Sequence, residues 1–329
     1  MSTKVKLASS LGINSTSYAG EAAAGYIAAA MLQADSIERG LVTVVENVKY
    51  KHVLRVMSSA AGLVRAYSCD FDNNDDLDID EKVLTLTELM VAEKLCKSQF
   101  LASWDAMQTG AGRAGSDLPS SFEEFLLLYL TGKIAESTEY NLWQGNYDPS
   151  GTSPAYTNFN GICKQVEAAS STVKVDLIDK TDGSTQITSL AVVEDVAYNM
   201  QRGVDNLPAA LKGRYDKVKI HISPSTYDKY FQDLATQGLA TQYNNADAPV
   251  RYNGYTVERV FGFPDDTILL ASAENLFFGT DLLSDFNQAN VVDTSQTMAD
   301  DNVRVRIQYA CGTQIAPEQN IVMVYPDAA

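Results

Sequence analysis

Ser121-Phe122-Glu123-Glu124-Phe125-Leu126, running on through Tyr129, Leu130 and Ile134 to Trp143-Gln144-Gly145, is the stretch on which the fold turns. Phe122, Phe125, Leu126, Tyr129, Leu130 and Ile134 recur at helical spacing, so one face is apolar and needs a partner. Ser121 and Glu124 have the capping-box spacing, in which each side chain satisfies an orphan amide. Gly145 supplies a C′ glycine just past the last turn. The prediction is one helix over 121–144. At ~1.5 Å per residue it spans on the order of 35 Å, long enough to be the backbone of a domain.

Upstream of this helix lies a glycine-rich break, Gly110-Ala111-Gly112-Arg113-Ala114-Gly115, and before it a predicted helix over 93–108. Further upstream the period changes. Residues 41–56 alternate, with Val42, Val44, Val48, Tyr50, Leu54 and Val56 on one parity, which predicts one long half-buried strand. A second β-rich run, Lys82 to Val91, follows an acidic loop at 70–81. The two runs predict a long two-stranded arm, which alone would be marginal and must lie on something else. The alanine-rich stretch before it predicts a helix over 18–38 closed by Gly40, and residues 1–17 are a polar extended arm.

Downstream, Asp148-Pro149-Ser150-Gly151-Thr152-Ser153-Pro154 is a linker. A helix is predicted over 188–205, then a strand over 217–222. Ser223-Pro224 then opens another helix, with Ser at the cap and Pro in the first turn. Its inward stripe is Tyr227, Tyr230, Phe231 and Leu234. The remainder is β-rich: 255–260, 267–271, 276–280, 302–309 and 321–325. In Val303-Arg304-Val305-Arg306-Ile307 the valine–arginine alternation marks a strand buried on one face. The fold class is α+β.

Composition excludes several functions. The chain has 329 residues with 42 acidic against 25 basic side chains, a net charge of −17. Such a chain is a poor generic nucleic-acid binder, because phosphate affinity comes from Lys and Arg. No run approaches the ~18 consecutive apolar residues of a membrane span. Cys69, Cys96, Cys163 and Cys311 are scattered, which reads as mostly buried thiols in a reducing compartment. The only histidines are His52, in the first strand among lysines, and His221, where a satisfied buried histidine is expected. With no nucleophile elbow, P-loop or zinc-protease motif, no catalytic residue is assigned and an enzyme is not expected.

Two motifs have a chemical reading beside a plain one. The segment 110–115 matches GxGxxG, but a dinucleotide site needs a strand before it and a helix start directly after it. Here a helix precedes and Ser116-Asp117-Leu118-Pro119 intervenes, so a hinge or loop is expected and no cofactor. The acidic loop places oxygen ligands at calcium-loop positions, with Asp70, Asp72, Asn74, Asp76, Asp78 and Glu81 as candidate ligands for calcium or another divalent cation. Asp75 stands where that loop needs glycine, and the flanks read as strand, so a solvated acidic loop is the plain expectation. Tyr243, Tyr252 and Tyr255, in a loop-rich part, are candidates for an interface.

The order of elements is itself informative. Leu86-Thr87-Glu88-Leu89-Met90-Val91 with Ala92 to Leu101 is similar to a returning hairpin strand and the helix after it. Phe122 to Gly145 is similar to a spine helix. Val218-Lys219-Ile220-His221-Ile222-Ser223-Pro224-Ser225-Thr226-Tyr227 is similar to a strand and capped helix of an axial domain. Thr267 to Thr280 and Val303 to Val324 are similar to closing strands. Taken in this order, over nearly the whole chain, they resemble the major capsid proteins of tailed double-stranded DNA bacteriophages, with the Hong Kong 97 capsid fold.

The resemblance implies an N-terminal arm at 1–40, an extended β-hairpin loop at 41–92, and a peripheral domain with the spine helix at 93–180. It implies an axial domain at 181–299 and C-terminal strands returning to the peripheral domain at 300–329. The implied function is self-assembly into pentamers and hexamers of an icosahedral shell around DNA, in a virion assembled in the bacterial host cytoplasm. Implied partners are further copies, a separate scaffolding protein, a portal and decoration proteins, with no membrane and no sequence-specific contact to DNA. The chain enters its arm almost at once, so scaffolding is expected from another chain or already removed. No lysine, asparagine and glutamate match a covalent cross-link, and none is expected. The alternatives are an encapsulin-type nanocompartment shell protein, a calcium-regulated soluble binding protein built around 70–81, and an oxidoreductase using 110–115.

Overall fold

Helix and strand fall largely where apolar spacing places them. The computed structural model describes residues 16–19, 34–59, 69, 77–96, 122–148, 157–237, 250–281, 288–294 and 302–326. Its helices are α1 (Asp35–Glu38), α2 (Phe122–Gln144), α3 (Ile162–Ala168), α4 (Val193–Asp205) and α5 (Pro224–Thr236). Its first strands are β1 (Thr16–Ala19), β2 (Thr43–Val45), β3 (Lys51–Ser59), β4 (Leu77–Thr85), β5 (Thr87–Cys96) and β6 (Val173–Asp176). They continue with β7 (Val218–Ile222), β8 (Arg251–Tyr252), β9 (Tyr255–Arg259) and β10 (Ile268–Ser272). The last are β11 (Leu276–Thr280), β12 (Gln288–Asp293), β13 (Asn302–Ile315) and β14 (Val322–Tyr325). Among the described residues no helix is long and apolar enough to cross a membrane.

The chain divides into two units, 1–30 with 88–134 and 282–309, and 31–87 with 135–281 and 310–329. In the first, β12 pairs antiparallel with β1 and with residues 303–308 of β13. Val303, Val305 and Ile307 are buried while Arg304 and Arg306 are exposed, as the alternation requires.

The second unit holds the larger core. A mixed sheet runs in the order β6-β14-β10-β7-β9-β8. Helices α4 and α5 pack their apolar stripes on one face of it, burying Val196, Met200, Tyr230 and Leu234 against Ile220, Ile222, Leu270 and Val324. Each such fully buried side chain contributes about 1.5–3 kcal/mol. Ser223 caps α5 by accepting from the Thr226 amide, with Pro224 in the first turn. Strand periodicity turns His221 away from Ile220 and Ile222, and its ring lies 5.4 Å from that of Trp143 near the end of α2.

A second sheet in this unit is built on β11, which pairs antiparallel with residues 311–315 of β13 and parallel with β2. Strands β3 and β4 form a separate two-stranded ribbon, in register from Lys51 opposite Thr85 to Ser59 opposite Leu77.

Several expectations change. The long strand over 41–56 is two strands, β2 and β3, joined through Asn47 and Tyr50 at φ 59° and 77°. A non-glycine residue with positive φ ends extended geometry, yet leaves the polar–apolar parity of the sequence undisturbed. The helix expected from 93 does not begin there, because β5 continues to Cys96; residues 97–108 lie outside the described residues. Tyr18 and Ala19, expected in a helix, pair in β1, and the described helical part of 18–38 is the single turn α1, with 20–33 outside the described residues. Helix α4 starts at Val193 rather than 188. The capping pair falls outside too, since neither Ser121 nor the Glu124 side chain is described.

Gly145 ends α2 for a different reason from the one expected. It is not among the glycines with positive φ; a Cβ there would meet the Phe159 carbonyl oxygen at 2.2 Å. Its own carbonyl accepts from the Gly161 amide at 2.7 Å. The glycine allows two backbones to touch, so α2 is anchored to the start of α3.

Candidate assembly surfaces and buried polar junction

Among the described residues, those singled out for chemistry do not converge. Asp70, Asp72, Asn74 and Asp76 lie outside the described residues, as does the whole of 110–115. Asp78 sits in β4 opposite Ser58, its side chain undescribed. Glu81, the last candidate calcium ligand, is exposed and accepts from Arg55 at 3.1 Å across the ribbon. Among the described residues, no group of three His, Cys, Asp or Glu side chains could hold a metal ion. A cleft of about 340 Å³ beside the ribbon is lined by Val56, Asp80, Lys82, Ser171 and Glu318, and Lys82 closes on Glu318 at 2.5 Å. His52 is on the exposed surface of β3, as expected. Cys163 and Cys311 are buried and burial pushes both thiols up, so they stay protonated and inert. Tyr252 and Tyr255, expected at an interface, are instead core contacts: Tyr255 is buried and Tyr252 donates to Gln201. Tyr243 lies outside the described residues.

His221 departs from expectation. It is fully buried, yet among the described residues neither ring nitrogen has a hydrogen-bond partner. Burial, with lesser contributions from Lys219 and Arg39, holds its pKa down to about 3. The imidazole is therefore neutral at ordinary pH and packs as an aromatic plate on Trp143.

On the far side of Trp143 lies a buried polar junction. The Glu139 carboxylate accepts from the Ser36 amide at 3.1 Å and from the Ser36 hydroxyl. Trp143 Nε1 donates to Ser36 Oγ at 2.9 Å and to Glu139 at 3.3 Å. Burial raises the Glu139 pKa, and the Ser36 hydrogen bonds oppose that rise. Here α1, α2 and β7 are fastened by side chains drawn from three distant parts of the chain. No short-range pattern announces them.

Among the described residues, the ribbon carries a cluster of exposed apolar side chains. Val53 is paired with Val83 and Met57 with Ile79. All four are exposed, Met57 at 63% and Ile79 at 58%, while Leu54 and Val56 on the other parity are half-buried. The exposed face thus carries two apolar pairs, Val53–Val83 and Met57–Ile79, on either side of the Arg55–Glu81 ion pair. Exposed apolar pairs of this kind on a two-stranded ribbon are what an interaction surface offers.

Comparisons with known proteins agree on the architecture. No family model matches the chain, and no curated protein matches it in sequence. Solved structures do match over most of its length. A chain of the satellite phage P4 procapsid, which includes the size determination protein, aligns at TM-score 0.57 and 10% identity, covering 88% of this chain and 94% of that one. A chain of Gordonia phage Cozz aligns at TM-score 0.56 and 11% identity, covering 89% and 87%. A chain of the capsid of cyanophage P-SCSP1u aligns at TM-score 0.52 and 11% identity, covering 89% and 88%. The chain therefore has the Hong-Kong-97-like capsid fold, the α+β architecture that the order of its elements implied.

Proposed function

We propose that the chain is a major capsid subunit. It self-assembles into pentamers and hexamers of an icosahedral shell around phage double-stranded DNA. The observation that carries this reading is the β3–β4 ribbon, which leaves Val53, Met57, Ile79 and Val83 exposed in the single chain. The fold shared with procapsid and capsid chains supports the same conclusion. Burying that stripe against neighbouring copies is how a subunit of this kind gains association energy.

In this reading residues 1–40 are an N-terminal arm, 41–92 the extended loop, 93–180 with 300–329 the peripheral domain, and 181–299 the axial domain. The role is structural and non-enzymatic. A net charge of −17 keeps packaged DNA from adhering to the wall. Scaffolding, portal and decoration proteins are separate chains, and the shell forms in the host cytoplasm.

The test is particle formation by the purified chain, alone and with its candidate scaffold, by electron microscopy and light scattering. The cargo then separates the phage shell from an encapsulin-type compartment: packaged genome supports the first, enclosed enzyme the second.

A further inference from the structure

Arg259, the last residue of β9, is held in an unusual way. Its guanidinium carbon lies 5.8 Å from the centroid of Tyr227 and 5.3 Å from that of Phe261. Two aromatic rings restrain one exposed cation, which lowers the entropy it would lose on meeting an anion. Among the described residues, its guanidinium makes no ion pair and no hydrogen bond. The neighbouring carboxylate, Glu258, is occupied instead by Arg39 and by Lys219, the latter at 3.0 Å. Phe261 beside it is 52% exposed.

We propose that Arg259, with Phe261 and Tyr227, is a subunit–subunit contact site that receives a carboxylate side chain from a second copy of this chain. The inference rests on the self-assembly proposed above. A guanidinium presents a planar fork of donors that matches a carboxylate two bonds at a time. Arginine and aromatic residues in one cluster are the composition of an interface hot spot. The partner chemistry follows from charge: each copy carries 42 acidic against 25 basic side chains, so carboxylates are what one copy offers another in excess.

The experiment compares the full-length chain with Arg259→Ala, Arg259→Lys and Phe261→Ser, following the protein concentration at which particles first appear. Melting temperature is recorded in parallel. Because Arg259 and Phe261 are exposed, the melts should coincide with wild type. The particle threshold should rise about thirtyfold for Arg259→Ala and Phe261→Ser, at the lower edge of the range for a hot-spot truncation. Arg259→Lys keeps the charge and stem but loses the fork, so its threshold should rise as well. Variants with unchanged melts that assemble at the wild-type threshold overturn this site while leaving the shell reading intact. A wild-type chain that never assembles overturns the shell reading and this inference with it. Gel-shift binding of DNA by the unassembled subunit that is lost in Arg259→Ala assigns the cluster to phosphate and overturns the proposal.

Discussion

Gly279 lies directly across from Gly312 in the antiparallel pair of β11 and β13, and the two glycines together seat the base of the ribbon. A Cβ on Gly279 would meet Leu84 Cδ2 at 2.6 Å, and one on Gly312 would meet the Thr85 carbonyl oxygen at 2.3 Å. Leu84 and Leu86 are buried there. The strand that leaves the ribbon thus crosses the sheet at a spot cleared of side chains. Gly312→Ala places a methyl against backbone that cannot rotate away. It should destabilise the chain by about 1–3 kcal/mol, the range for overpacking a tight site, read from the denaturant midpoint. An unchanged midpoint would mean that the ribbon base is not seated on the sheet.

Acid sensitivity should trace to His221. Its folded pKa, near 3, lies below the ordinary 6.5, so the unfolded chain takes up the proton first as pH falls. The stability it contributes is complete above pH 6.5 and is lost progressively as pH falls toward 3. Glu139 acts in the opposite sense. Its pKa is raised, so its contribution is present below 4.5 and declines as pH rises through the folded value. His221→Phe, which keeps an aromatic plate against Trp143, should flatten the fall in melting temperature between pH 6.5 and pH 3. The same slope in wild type and variant would place the acid response elsewhere.

The exposed face of the ribbon makes a second separation of folding from assembly. Met57→Lys with Ile79→Glu replaces an exposed apolar pair by a cross-strand ion pair. Surface changes of this kind usually stay within about 0.5 kcal/mol, so the isolated chain should melt as before. Particle yield by light scattering should fall sharply. Normal yield would show that this face is not covered in the assembled state.

Calcium should do little. Glu81 is engaged by Arg55, and the β3–β4 pairing runs up to Leu77, inside the span a calcium loop would need to wrap the ion. Millimolar calcium should leave the melting temperature and protease sensitivity of the chain unchanged. A rise of several degrees, abolished by Asp72→Asn, would instead establish 70–81 as a cation site.

How much of this was legible beforehand depends on the range of the interaction. Helix α2, strand β7 and the Ser223–Pro224 start of α5 were readable because periodicity and capping act within a few residues. The ribbon was only partly readable: its first strand falls within the run over 41–56, but the β-rich run over 82–91 divides between β4 and β5, and β4 begins at Leu77, inside the stretch expected as an acidic loop. The break at Asn47 and Tyr50 was hidden because the alternation passes through it without a change of phase. The close backbone approach at Gly145 and the seat at Gly279 and Gly312 belong to contacts between residues far apart in the chain, where one glycine looks like any other. The same holds for the Ser36–Glu139–Trp143 junction, and for the burial of His221, whose surroundings come from other elements. The Arg259 cluster was invisible for that reason: Tyr227 was read only as part of the inward stripe of α5.

Every proposal above depends on many copies of this chain building a closed shell. The most direct measurement is the size of what the purified full-length chain forms, by negative-stain electron microscopy with light scattering, alone and with its candidate scaffold. Capsomer rings or closed icosahedral particles are the expected result. A chain that stays monomeric at high concentration, under crowding and with scaffold present, would contradict it.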